Sequence, residues 1–244
     1  MVRWLRGHWQ LLIITALLYT VWHTPVAWPL RMLIVVFHEM SHGIAALSTG
    51  GSIDAIELSR FEGGTAWIRG GHYFWVATAG YLGSLAVGLL LFLGAVRTNA
   101  DRLLLGLCGA VMLLTTAFYV RDIFTVVYCT LTGAAMLAVA YFANAKVSDL
   151  VLRVIGLSSM LYVPWDIYVD TIWVCHSCLP NDGQSDAAAI AGYSFGSEAM
   201  WGWIWLVISV VVIIAALRFG LGTTSNLPLR FTRDPSPSPD DRPR

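Results

Sequence analysis

The sequence predicts an all-α integral membrane protein, with six or seven transmembrane helices and a small β-hairpin inserted after the second helix. Three observations predict it. Several windows of about twenty residues, the length that crosses a bilayer core, carry almost no charge. Only 12% of residues are charged against 57% hydrophobic, and the mean hydropathy is +0.67, unlike a soluble domain. One polar stretch, GGSIDAIELSRFEGGTAWIRGG, alternates apolar and polar residues from Ser52 to Ser59 before Gly63-Gly64, the pattern of two strands and a turn.

The elements follow in order. MVRWLRGHW is basic and precedes an apolar run, as a signal peptide does, but no small-residue cleavage site follows, so a retained first helix is expected near Trp9 to Trp28. The second span runs from about Pro29 to Ser48, with Pro29 suited to a first helical turn and Gly50-Gly51 to a helix end. After the insert, residues 50–71, further spans are expected at about His72 to Val96, Leu103 to Val120, Ile123 to Ala143 and Val147 to Val174. Only Arg121-Asp122 separates the fourth from the fifth, which makes either a tight helical hairpin or one irregular element. The polar loop CHSCLPNDGQSDAAAIAG leads to a last span at about Glu198 to Leu217. Residues 1–221 then form one transmembrane domain, and 222–244, ending TRDPSPSPDDRPR, a disordered tail. Arg3 and Arg6 favour a cytoplasmic N-terminus while Arg218, Arg230 and Arg233 favour a cytoplasmic C-terminus; with seven spans both cannot hold. The formal net charge is zero with basic residues spread along the chain, so no nucleic-acid footprint is present.

Within the second span stands FHEMSHG. His38 and His42, four apart, share one face of a helix, and Glu39 lies about 100° around the axis. Two imidazoles so placed can hold one Zn²⁺, with Glu39 beside the open position to take a proton from water: the HExxH arrangement. The bland reading pairs these groups in a helix core, but ionisable side chains at membrane depth cost several kcal/mol and are rarely kept without a role. A catalytic zinc needs a third protein ligand. Glu57, Glu62 and Glu198 sit in the hairpin or at a helix start. Asp166 and Asp170, four apart just after Pro164, are carboxylates at depth, and Asp166 is preferred. Asp170 is alternatively interfacial, because WVCHSC ends the span soon afterwards, and Asp186 alternatively caps a short helix; both stay open as ligands.

HEMSHG inside an apolar span, TGG directly after it, a short polar hairpin, ATAGYLGS opening the next span, then YVPWDI, QSDAA and the Trp-rich MWGWIWLVIS resemble the M50 (site-2 protease) intramembrane metallopeptidases, above all the M50B-like branch. The likeness covers about Pro29 to Val212. It implies a zinc held by His38, His42 and a downstream aspartate, Asp166 by preference, with Glu39 activating water to cleave a peptide bond of a transmembrane protein substrate. The better-studied members carry their aspartate before glycine, whereas Ile167 follows Asp166; Asp182-Gly183 reads that way but falls in a polar loop. A substrate helix must unwind to be cut, and each freed backbone group then needs a partner, which the hairpin Ser52 to Trp67 can supply by edge pairing or, alternatively, the hairpin is a cap. Competing functions are a catalytically silent M50-like protein that binds transmembrane helices, and a metal-binding transporter component. An intact Glu39 argues against the first and the lack of an internal repeat against the second.

The remaining signals have plainer readings. Gly80, Gly83, Ser84 and Gly88 form a small-residue face for close helix packing. Cys175 and Cys178 flank His176 in a lone CxxC, read as a disulfide or free thiols rather than a second metal. Cys108 and Cys129 read as packing, and His23 and His72 as interfacial.

Overall fold

The computed structural model describes residues 2–173, 185–222 and 224–226. Cys175, His176, Cys178, Asp182 and most of the expected tail lie outside them. Eight α-helices and one hairpin make up the described chain: α1 (Val2–Val21), α2 (Trp28–Ser48), β1 (Ser52–Ser59), β2 (Gly63–Arg69), α3 (Tyr73–Arg97), α4 (Asp101–Tyr119), α5 (Ile123–Phe142), α6 (Ala145–Ile167), α7 (Asp186–Tyr193) and α8 (Glu198–Gly220). A 3₁₀ turn, Pro25–Ala27, joins α1 to α2, and a π-helical turn, Tyr168–Ile172, extends α6.

Among the described residues, six helical segments are long and apolar enough to cross a membrane: Pro25–Ser48, Tyr73–Arg97, Asp101–Tyr119, Ile123–Phe142, Ala145–Ile172 and Glu198–Gly220. They correspond to the second through seventh expected spans. α1 is helical but is not among the six, because Arg3, Arg6, His8 and Gln10 dilute its N-terminal half. It begins and ends earlier than expected, closing before Pro25.

Small residues set the approach of the central helices. A Cβ on Gly88 would lie 2.3 Å from Ser159 Cβ, and one on Gly156 2.7 Å from Gly88 O, so α3 and α6 pack nearly backbone to backbone. Gly83 meets Ser41 of α2 in the same way. The short break between α4 and α5 is a helical hairpin whose Gly109 and Gly133 face each other. Its two polar residues serve opposite helix ends: Arg121 donates to Phe118 O at 2.5 Å, and the Asp122 carboxylate accepts from Thr125 N at 2.8 Å.

The hairpin doubles back along α2. β1 and β2 pair antiparallel with Ile56 opposite Ala66 and Leu58 opposite Gly64. At the turn, Glu62 adopts φ 64°, a left-handed conformation that costs a non-glycine residue about 1 kcal/mol. Its carboxylate is gripped by both arms of Arg31 at 2.7 Å, while Trp28 Nε1 donates to Arg60 O at 3.2 Å. Arg31 also donates to Trp22 O and Thr24 O, tying the turn to the α1–α2 junction. The outer edge of β1 is occupied: Ile56 bridges to Val120, and Leu58 N donates to Thr125 Oγ1 at 2.7 Å. Strand alternation therefore turns the N–H and C=O groups of Gly64, Ala66 and Ile68 to the far edge of β2, where no further strand pairs among the described residues.

After α8 the chain returns to α1. His8 Nδ1 and Ser225 Oγ lie 2.8 Å apart, and the buried Arg153, paired with Asp149, donates to Ser225 O. Residues 224–226 of the expected tail are thus pinned.

Removing Glu62 leaves Arg31 without its anionic partner. Glu62→Ala is expected to lower stability by about 2 kcal/mol and to open the segment between α2 and α3 to limited proteolysis in micelles. An unchanged melting temperature together with an unchanged digestion pattern would assign the hairpin's anchorage to apolar packing alone.

Candidate metal centre

The site begins with spacing. On α2 the four-residue interval stacks His38 and His42, their ring centroids 4.7 Å apart and 76° between planes. His42 Nδ1 lies 2.7 Å from Val76 O of α3. A carbonyl can only accept, so Nδ1 carries a proton and Nε2 is the ring nitrogen left to face the site. Both Nε2 atoms point to one carboxylate oxygen, Asp186 Oδ2, at 3.1 Å from His38 and 3.2 Å from His42.

Asp186 arrives from α7, an eight-residue helix. Ser185 caps it, its Oγ accepting from Ala188 N at 3.1 Å and donating to Glu198 Oε1 of α8 at 2.5 Å. Ala187 and Ile190 are buried and seat the helix in the core. With the cap supplied by Ser185, the Asp186 side chain is left to project toward α2. Burial favours its neutral form, but the facing imidazoles outweigh that and hold its carboxyl below the ordinary carboxylate range.

Space completes the arrangement. A Cβ built on Gly80 of α3 would lie 2.4 Å from His38 Nε2, 2.5 Å from His42 Nε2 and 2.6 Å from Asp186 Oδ2. The missing side chain leaves a gap central to the three atoms. Asp186 Oδ2 is buried and accepts no hydrogen bond of proper geometry among the described residues. With Nε2 unprotonated, a carboxylate oxygen facing it is repulsive, and positive charge among the three atoms, a ring proton or a metal cation, removes that repulsion. Two imidazoles and a carboxylate are a zinc donor set, and they are the one group of three such ligands among the described residues. The residues therefore fit a divalent metal.

Glu39 is 5% exposed, and its carboxylate accepts the Ala66 N–H of β2. Gly64 presses against the same group, where a Cβ would come within 2.6 Å of Oε1. The hairpin thus covers the residue beside the three donors.

The structure brings Asp186, not the preferred Asp166, to the histidines. Asp166 stays on α6, hydrogen-bonded to Tyr162. Asp170 sits on the π-helical turn and accepts from Tyr81 OH at 3.1 Å. Depth in a long span favoured Asp166, yet a short helix folding back from a loop reaches the centre more directly. The signal lay in SDAAAIAG: a serine cap, a projecting acid, then small apolar residues that bury. Gly80, read as packing, is the other residue the sequence understated.

A sequence profile described as Peptidase M50B-like matches residues 11–216. The chain belongs to that family. No curated protein and no solved structure matches it. This M50B-like protein is a multi-pass integral membrane protein, with HEMSH on the first of the six spans found among the described residues.

Gly80→Ala is expected to fill the gap and abolish stoichiometric zinc uptake while the helix persists, alanine being the better helix former by about 1 kcal/mol. Metal analysis of the purified M50B-like protein checks it, with Asp186→Ala losing zinc and Asp166→Ala keeping it. Full zinc in Gly80→Ala and Asp186→Ala would remove the centre.

Proposed function

We propose that this M50B-like protein is an intramembrane zinc endopeptidase that hydrolyses peptide bonds of transmembrane protein substrates. The observation that carries the reading is the convergence of His38 Nε2, His42 Nε2 and Asp186 Oδ2 on the gap at Gly80, with Glu39 adjacent. Bound there, zinc supplies Lewis acidity, polarising a peptide carbonyl and making a water acidic near neutral pH. His38, His42 and Asp186 hold the ion. Glu39 takes the proton of the attacking water on its carboxylate and delivers it to the leaving amine nitrogen. The Ala66 N–H orients that carboxylate, and α7 with the hairpin limits water access.

The substrate side of the reading rests on the far edge of β2, where no further strand pairs among the described residues and where the Ala66 N–H is already taken by Glu39. An extended segment pairing there, antiparallel or parallel, satisfies backbone groups that unwinding a substrate helix would leave bare in lipid. β1 is a poor candidate, because Val120 and Thr125 occupy its outer edge.

Glu39→Gln is expected to retain zinc while cleavage of a reconstituted transmembrane substrate falls by about 10²- to 10⁴-fold; undiminished cleavage would end the general-base role. Ile68→Pro removes an outward N–H at the β2 edge without touching Glu39. It should cut turnover at full zinc occupancy, and wild-type turnover in this variant would turn the hairpin into a cap only.

A further inference from the structure

We infer that Tyr81, anchored by Asp170, is a positioning residue that sets the ring of His38 toward the metal gap; the inference rests on the zinc reading above. The two imidazoles are oriented differently. His42 is fixed by its Nδ1 bond to Val76 O, and of the two rings it alone bonds a carbonyl among the described residues. His38 is instead packed against two rings, those of His42 and Tyr81, each centroid 4.7 Å away and each nearly perpendicular.

Tyr81 is itself over-determined. It follows Gly80 on α3, so one residue opens the gap and the next packs on a histidine that lines it. It is 3% exposed, Trp205 of α8 packs 5.6 Å from its ring, and its hydroxyl donates to Asp170 Oδ2 at 3.1 Å. Asp170 owes its direction to the π-helical turn, closed by Trp173 N donating to Tyr168 O at 2.9 Å. Such single-turn π segments recur at functional sites. α8 clamps the turn, since a Cβ on Gly202 would sit 1.9 Å from Thr171 Oγ1. Thr171 Oγ1 in turn donates to Ile167 O at 2.6 Å.

Packing alone does not explain this pair. A phenylalanine facing a leucine would fill the volume without desolvating a carboxylate and a hydroxyl inside an apolar bundle. What the polar pair adds is direction: the hydrogen bond fixes the tyrosine along the axis that presents its ring to His38. Asp170 therefore acts at one remove, through an aromatic ring, as carboxylates that bond a ligand histidine directly do in other metal sites.

The test uses full-length protein in micelles, loaded with Co²⁺ for its d–d absorption bands and titrated with Zn²⁺ against a chelator. Asp170→Leu and Tyr81→Leu are expected to weaken zinc binding by about 10-fold or more and to shift the cobalt bands. Asp170→Asn, whose amide oxygen still accepts from the phenol, should restore both. Asp166→Leu, a matched loss of a carboxylate from the same helix, should change neither. Wild-type affinity and spectrum in both leucine variants would overturn the inference, as would equal damage from Asp170→Asn. Failure of the zinc reading looks different: the unmodified protein then binds no Co²⁺ or Zn²⁺, or Asp186→Ala binds them as well as the unmodified protein does.

Discussion

The structure depends on three facing donor atoms that need positive charge among them. A carboxylate oxygen and two imidazole nitrogens, one ring oriented by Val76 O, are aimed at one another. In water such a cluster would disperse. Here it is held by three separately stabilised elements: the register of α2, the glycine-faced approach of α3, and the capped start of α7. The cluster is therefore a preorganised demand for positive charge, with the reorganisation cost already met in folding.

That demand orders the surrounding packing. Gly80 cannot carry a side chain without filling the gap, and Gly83 and Gly88 continue the same close face against Ser41 and Ser159. One stripe of small residues thus serves both helix association and the site. The hairpin obeys a parallel logic: Arg31 pins its turn and Thr125 satisfies its outer edge, so β2 is left to meet Glu39 along an edge that no further described strand covers. An open strand edge is costly in a membrane protein. Its retention beside the acid is intelligible if a substrate backbone completes it.

The fold was largely legible because membrane thickness imposes a length and an apolar composition that survive any tertiary detail. The hairpin was legible too, since alternation and Gly63-Gly64 are local signals. On α2 the pair His38 and His42 could be read from helical periodicity alone. Asp186 could not, because its position is fixed by a Ser185–Glu198 contact and by burial of Ala187 and Ile190, none of which is a spacing along one helix. Asp166 and Asp170 attracted attention for a sound reason, their charge at depth, but that reason identifies residues with a role without stating which. The first is satisfied by Tyr162 and the second by Tyr81.

Around the three donors, charge is held by rigid partners, whereas Arg153–Asp149 and Arg31–Glu62 are paired ions farther away. His42 leans on a backbone carbonyl, Glu39 on a backbone amide, Asp170 on a phenol wedged by Trp205, and Asp186 on the frame of a capped helix. A salt bridge would satisfy each of these groups as well but would spend the charge that the centre needs. Neutral dipoles fix the direction of these side chains without placing a second charge beside the three donors. The choice of dipoles over counter-ions therefore keeps two imidazoles and a carboxylate side by side within about one turn of a single buried helix.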